Sequence, residues 1–325
     1  MTTTHSAVVG APDETRRDEA LIQLGQALKA LGYMFTTVTP VTHERVNRRP
    51  DNAWAHDLRG ALGWSRPFRP DTLPPSIVEA MDAAGVLHRD GDTWRSLVRF
   101  SSYDDELFVH SAFPTSAPDA VFFGPDTYRM ADAAAAHVES WRGRPIRRAV
   151  DIGCGTGAGA IAVAKRAPDA EVLAVDINEN ALRYAEVNVA LAGTDGVHPC
   201  RSNLLHDVSG SFDLIISNPP FMVDPAGRAY RDGGGPGGHA LSLDIIDVAA
   251  ERLEPGGSLV LFSGVGIVDG RDSLRAAAAE RLAGTDLTWT YREVDPDVYD
   301  EELDGDAYGN AERIAVVLLT AVRAE

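Results

Sequence analysis

Two short segments hold the residue types with which this chain could do chemistry. The first is Asp151-Ile152-Gly153-Cys154-Gly155-Thr156-Gly157. Glycines in that spacing allow a tight turn and a close backbone approach to a ligand. Asp176 follows the apolar run Val172-Leu173-Ala174-Val175, a place from which a carboxylate can accept both hydroxyls of a ribose. Loop and acid together predict a nucleoside-binding crevice. The glycines alone leave the nucleoside open, because Gly153, Gly155 and Ala158 also satisfy the dinucleotide pattern G-x-G-x-x-G/A. A nicotinamide cofactor and S-adenosylmethionine are equally compatible with the loop. Asp151, just before the glycines, favours S-adenosylmethionine, since a negative charge there suits a sulfonium with a cationic amino group and opposes a pyrophosphate.

The second segment is Asn218-Pro219-Pro220-Phe221, directly after the strand-like Phe212-Asp213-Leu214-Ile215-Ile216-Ser217. Pro219 and Pro220 fix the backbone and leave carbonyls with no competing ladder. The Asn218 side-chain oxygen and the Pro219 carbonyl can accept both hydrogens of an NH2 group. Such bonds strengthen as positive charge develops on nitrogen, so they favour the transition state of methyl transfer to that nitrogen. Phe221 offers a flat face for a planar amide or base. A rigid proline turn with no catalytic role is the bland alternative, and the neighbouring glycine loop and Asp176 weigh against it. Other chemistry is poorly supported. The histidines show no i, i+4 pair and no Cys/His cluster, so no metal site is predicted. Cys154 reads as a small residue in a crowded loop, and Ser101, Ser102 and Ser263 lack a nucleophile-elbow context.

The elements that must position these residues follow from periodicity. From about residue 120, strand-like runs at 148–152, 171–175, 212–217 and 258–263 alternate with helical stretches at 158–167, 180–192, 241–253 and 272–282. Runs at 287–293 and 313–322 close the chain as an antiparallel pair. This is the pattern of a doubly wound, mainly parallel sheet, whose ligands lie outside the carboxyl ends of the strands, where both segments fall. Residues 295–312 are rich in Asp, Glu and Gly and are expected to form a solvated loop. The N-terminal part reads differently. Helical stretches are predicted at 14–32, with Leu21, Leu24, Leu28 and Leu31 on one face, at 53–62 and at 76–84. A hairpin is predicted around Asp90-Gly91-Asp92, running on through Val98 and Phe100. Helices followed by a hairpin suggest a small winged-helix-like α+β domain, expected to act in substrate recognition or as a substrate-gripping lid, with DNA binding the disfavoured alternative. The expected organisation is a mobile tail over 1–12, an N-terminal domain over 13–115 and a cofactor-binding domain over 120–325.

Length and composition set outer bounds. The 325 residues suit two domains. The net charge of -18 is uneven, -3 over residues 1–115 and -15 over 116–325, and an acidic catalytic half repels a phosphate backbone. The one basic cluster, Arg45, Arg48 and Arg49, is small. A nucleic-acid substrate is therefore disfavoured. The longest apolar runs fall far short of the ~20 residues of a membrane helix, and the first residues show no secretory pattern. The two cysteines, Cys154 and Cys200, suggest no disulfide framework, so a cytoplasmic location is expected.

The glycine loop and the tetrapeptide together resemble the HemK/PrmC group of class I methyltransferases, which methylate the side-chain amide of glutamine in release factors. Gly124-Pro125-Asp126-Thr127 resembles that family's segment before the first strand, which touches cofactor and substrate, and Gly233-Gly234-Gly235-Pro236-Gly237-Gly238 resembles its loop after the tetrapeptide. The resemblance spans about residues 120–325. It implies a seven-stranded sheet and S-adenosylmethionine as cofactor. The implied cofactor residues are Thr127, Asp151, Gly153, Gly155, Gly157, Asp176, Ile177, Asn203, Leu204 and Asn218, and the implied catalytic segment is Asn218, Pro219, Pro220 and Phe221. The family's tetrapeptide usually ends in Tyr, and an Asp usually stands at Asn203, whose amide oxygen can accept the same adenine hydrogen. The first 115 residues do not resemble the release-factor enzymes' helical domain. The expectation is a methyltransferase acting on a planar amide or amine nitrogen, with a protein glutamine side chain as one such acceptor. An rRNA or DNA base and a small natural product are the alternative acceptors. The sequence is silent on oligomeric state.

Overall fold

The computed structural model describes residues 12–228 and 230–325. Residues 1–11 of the expected mobile tail lie outside them. The chain divides into two compact units, one of residues up to Thr115 together with Glu186–Gly193, the other of Ser116–Ala185 and Thr194–Glu325.

In the first unit, α1 spans Pro12–Ala30 and buries Leu21, Leu24 and Leu28. Leu31 leaves that face and is 58% exposed, because the helix ends at Ala30 and the chain turns through Gly32 at a φ of 69°. The helix expected over 53–62 is shorter. Asp57 accepts the Gly60 N–H at 2.7 Å and starts α3 only at Leu58–Leu62. An unforeseen helix, α2, precedes it at Pro40–Asn47, with Pro40 in its first turn and Thr39 as its cap. The fourth helix, α4, spans Pro75–Ala83 and buries Ile77 and Met81. Two hairpins follow instead of one. Strands β1 (Leu87–Asp90) and β2 (Thr93–Ser96) pair around Gly91, and β3 (Val98–Tyr103) and β4 (Glu106–Ser111) pair around Asp104 and Asp105, both at positive φ as the tight turn requires.

The second unit is the expected doubly wound sheet. Its elements are α5 (Pro125–Ser140), β5 (Arg148–Ile152), α6 (Ala158–Arg166), β6 (Glu171–Asp176), the first half of α7 (Glu179–Ala192), whose residues from Glu186 on belong to the first unit, β7 (Val197–Arg201) and β8 (Phe212–Ser217). They continue with α8 (Ala240–Arg252), β9 (Leu253–Val268), β10 (Arg271–Asp272), α9 (Ser273–Leu282), β11 (Leu287–Asp295) and β12 (Arg313–Arg323). The strand order is β11-β12-β9-β8-β5-β6-β7, with β10 added to β9. The run β7, β6, β5, β8, β9 is parallel, and β12 is antiparallel to both β9 and β11. This is a doubly wound sheet with a terminal antiparallel pair, as expected, and β10 makes an eighth strand beyond the seven that the resemblance implies. Val150, Leu173, Ile215 and Leu259 form its central core with Ile245, Ile246 and Ala249 of α8 and Ala278 and Leu282 of α9.

Helix α5 and the short β10 have no counterpart among the expected elements, and two strands depart from periodicity. Strand β7 contains Pro199, and it survives because β7 is the outermost strand, where a missing N–H leaves no partner unsatisfied. Strand β9 runs from Leu253 to Val268, far beyond the apolar stretch that signals it. Among the described residues, no helix is long and apolar enough to cross a membrane.

The two strands that carry the chemistry, β5 and β8, are joined at their entry ends by Asp213. Its carboxylate is buried and accepts the backbone N–H groups of Arg147 at 2.8 Å and Arg148 at 3.0 Å, while the half-exposed Arg144 guanidinium lies 2.6 Å from its other oxygen. Truncation strands two backbone donors. Asp213→Ala is expected to lower unfolding free energy by about 2–4 kcal/mol, read as a reduced urea midpoint, whereas Arg144→Ala should shift the midpoint little because its charge is solvated.

Candidate active site

The parallel ladder ends level. Ile152 of β5 pairs with Val175 of β6 and Ser217 of β8, and Asp176 pairs with Arg201 of β7. The residues that follow, Gly153, Ile177, Ser202 and Asn218, therefore emerge together at the carboxyl edge. The Ser217 hydroxyl donates to the Ile152 carbonyl at 2.6 Å and ties the start of the glycine loop to the start of the tetrapeptide.

Gly153, Gly155 and Gly157 have φ values of 71°, 53° and 77°, the left-handed region that glycine enters without strain. Open space flanks Gly153 and Gly155, where an added Cβ would meet nothing within 4 Å. Loop and acid are bonded: Asp176 Oδ2 accepts the Gly155 N–H at 3.0 Å and Oδ1 accepts that of Asn178 at 2.9 Å. Burial pushes the Asp176 carboxyl up, and these N–H groups oppose the rise. With Ile177 as a third backbone donor, the carboxylate still keeps a lone pair for a ribose hydroxyl. Ile177 is 53% exposed beside it, an apolar platform of the kind an adenine covers. Asn203 is exposed, and Leu204, at a φ of 51°, packs onto the central core. A nucleoside with a ribose fits this cradle.

Two predicted cofactor residues have structural partners. Asp151 is buried, and its Oδ2 accepts the Ala160 N–H in the first turn of α6 at 3.0 Å. Burial, reinforced by the Asp176 charge, pushes its carboxyl up to about 7. The Thr127 hydroxyl accepts the Gly124 N–H at 3.2 Å and closes the first turn of α5. Cys154 is buried, and burial with the Asp176 and Asp151 charges holds its thiol protonated, which removes it as a nucleophile.

At the tetrapeptide, Asn218 Oδ1 is buried and lacks a hydrogen-bond partner among the described residues. Buried acceptors are rarely left so. Around it the backbone is held firmly. The Met222 N–H donates to Arg231 O at 3.0 Å, and Gly233 N–H to Met222 O at 2.9 Å, so the glycine loop 233–238 buttresses the tetrapeptide's exit. The Phe221 ring rests on β9, in the space where a side chain at Gly264 would stand: an added Cβ would lie 2.4 Å from Phe221 Cδ2. Two residues on, the Tyr308 ring lies 3.1 Å from the corresponding position at Gly266. The intervening Val265 and following Ile267 point to an apolar cluster instead, as strand alternation requires.

The segment 295–312 is largely exposed, as expected of a solvated loop, but it turns two tyrosines inward. Tyr308 is buried, and its hydroxyl accepts the Val223 N–H at 3.0 Å. The Tyr299 ring packs edge-on against Phe221, centroids 6.1 Å apart, and its hydroxyl donates to the buried Asp126. Arg129 pairs with Asp295 at 2.6 Å and Arg231 with Glu302 at 2.5 Å. Phe221 is in consequence only 6% exposed, so its face is covered where the sequence suggested a free platform. Tyr299, Tyr308 and Gly264 carry no local motif, whereas Asp126 lies in the Gly124-Pro125-Asp126-Thr127 segment noted in the sequence. The one legible signal was a pair of glycines inside a strand, which marks close approach of other groups.

Residues 129–265 match the family described as Methyltransferase small domain. The release factor glutamine methyltransferase of Deinococcus radiodurans is 37% identical over 165 residues, 48% of this chain and 55% of that protein. Its counterpart from Mycobacterium leprae is 32% identical over 190 residues, 52% of this chain and 63% of that protein. The chain thus spans about half the length of the curated relatives it matches. A solved SAM-dependent methyltransferase from Agrobacterium tumefaciens is 18% identical, with a TM-score of 0.48 over 74% of this chain and 75% of that one. The segment that carries the glycine loop, Asp176 and the Asn-Pro-Pro-Phe turn matches the Methyltransferase small domain and is similar to these release factor glutamine methyltransferases.

Proposed function

We propose that this chain is an S-adenosylmethionine-dependent N-methyltransferase whose acceptor is a planar amide nitrogen, the side-chain carboxamide of a protein glutamine. The observation that carries the reading is the orphaned acceptor Asn218 Oδ1 beside the glycine cradle. S-adenosylmethionine, when bound, supplies an electrophilic methyl carbon. Gly153 and Gly155 give it room, Asp176 accepts from its ribose, Ile177 and Leu204 flank its adenine, and Asn203 accepts from the adenine amine. Asn218 Oδ1 and the Pro219 carbonyl take the two hydrogens of the acceptor NH2 and hold its nitrogen in one orientation. These bonds strengthen as the nitrogen becomes positive, which lowers the barrier by differential binding. Pro220 keeps the turn rigid. No group in the set needs to act as a strong base, because the nitrogen becomes acidic on methylation. The relatives named as release factor glutamine methyltransferases support a protein glutamine as the acceptor, and the acidic charge of residues 116–325 weighs against a phosphate backbone.

Three outcomes follow. Asn218→Ala is expected to cut turnover roughly 100-fold or more with cofactor affinity kept, measured by mass spectrometry of a release factor and by calorimetry with S-adenosylmethionine. Unchanged turnover sinks the assignment. Gly264→Ala should push the Phe221 ring from its seat, and misplacement of about 1 Å at a reacting centre costs up to roughly 100-fold in turnover, again with cofactor binding kept. Third, a cation binds best to ionised Asp151. With the free carboxyl at about 7, raising the pH from roughly 6 to 8 should tighten S-adenosylmethionine binding by about tenfold. Asp151→Asn should flatten that dependence.

A further inference from the structure

Three segments distant in sequence converge on the tetrapeptide. They are the start of α5, the loop after Phe221 and the connection between β11 and β12. The connection brings Tyr299 against Phe221 at a ring-centroid distance of 6.1 Å and an interplanar angle of 62°. Tyr299 has a φ of 55°, a conformation that costs a residue with a Cβ roughly 1 kcal/mol or more. Its ring is nevertheless held there, by the bond to buried Asp126 and by Phe221. The segment is anchored on both sides, through Arg129 to Asp295 and through Arg231 to Glu302. A non-glycine residue kept in a costly conformation by so many ties marks a place where position matters.

The polar and aromatic parts of the site are thereby treated differently. Asn218 Oδ1 lacks a partner among the described residues, while the Phe221 ring is seated on Gly264 and covered by Tyr299. A flat ring inserted between two others needs roughly 7–8 Å between their planes, twice the carbon contact distance. Rings with centroids 6.1 Å apart leave no such gap. Enzymes that act on a nucleobase hold it by stacking on aromatic or apolar side chains, and that grip is closed here. A carboxamide on an aliphatic stem is slim, and its two N–H groups suffice to engage Asn218 and Pro219 without any stack.

We propose that Tyr299 is the residue that sets acceptor class, closing the Phe221 ring to nucleobases and leaving the amide acceptors of Asn218 and Pro219 to a slim aliphatic carboxamide. The proposal rests on the methyltransferase reading above, and the test separates the two. Wild type and Tyr299→Ala are first titrated with S-adenosylhomocysteine. No binding by wild type overturns the methyltransferase reading and the selector with it. With that ligand saturating, each protein is then titrated with guanosine, a base with an exocyclic amine. Wild type is expected to show no binding. Tyr299→Ala should gain affinity of about tenfold or more over the detection limit, the worth of one base-on-ring stack. Should Tyr299→Ala lose S-adenosylhomocysteine, Tyr299→Leu, which also removes the flat ring, takes its place. Guanosine binding by wild type, or none by a variant that still holds S-adenosylhomocysteine, overturns the selector role.

Discussion

Where β5 and β8 end, the Ser217 hydroxyl donates to the carbonyl of its register partner Ile152 at 2.6 Å. The serine closes the buried run Phe212–Ser217, and a buried hydroxyl must find a partner. A slip of one residue in the ladder would turn Ser217 to the other face and carry Asn218 away from the glycine loop. The opposite ends of the same strands are fixed by Asp213, which takes two backbone donors from the start of β5. Between these two anchors the relative position of cofactor cradle and acceptor turn is set by a parallel ladder, which is stiff.

Around that frame, aromatic rings are placed by the absence of side chains elsewhere. Gly264 and Gly266 stand on one face of β9 and receive Phe221 and Tyr308. The residues between and after them, Val265 and Ile267, fill the other face. A glycine inside a strand weakens it. Here the loss is offset by burial of two large rings, each of which removes on the order of 150 Å² or more of apolar surface from water. The backbone around the tetrapeptide is then locked from outside, through Arg231 O, Gly233 N and the Tyr308 hydroxyl.

Carboxylates in this acidic domain show how environment separates like groups. Asp151 sits in an apolar pocket at the start of α6, and burial carries it up to about 7. Asp224, also buried, is held down at about 2 by the hydrogen-bonded Arg228 guanidinium. Asp126 is raised by burial while the Tyr299 hydroxyl pulls the other way. The difference is the supply of donors: a carboxylate with an arginine fork keeps its charge, and one with a single N–H or phenol only partly does.

The order of strands and helices, the glycine cradle, Asp176 and the Asn-Pro-Pro-Phe turn were legible because each is written within a few consecutive residues. Positive φ demands glycine, proline fixes φ, and apolar spacing declares helix or strand. Strand β7 stayed hidden because Pro199 is tolerated only at a sheet edge, and edges exist only in the folded sheet. Leu31 fitted a helical face by spacing and is solvent-exposed, since the helix stops one residue earlier. The acidic composition of 295–312 spoke for solvent, and its two tyrosines were overruled by that average. Tyr299 meets a carboxylate 173 residues away, and Phe221 rests on a glycine 43 positions further on. Local chemistry thus determined which residues could act. Tertiary packing alone decided what surrounds them, because contacts across such separations depend on how strands are ordered in the sheet, which no short stretch of sequence encodes.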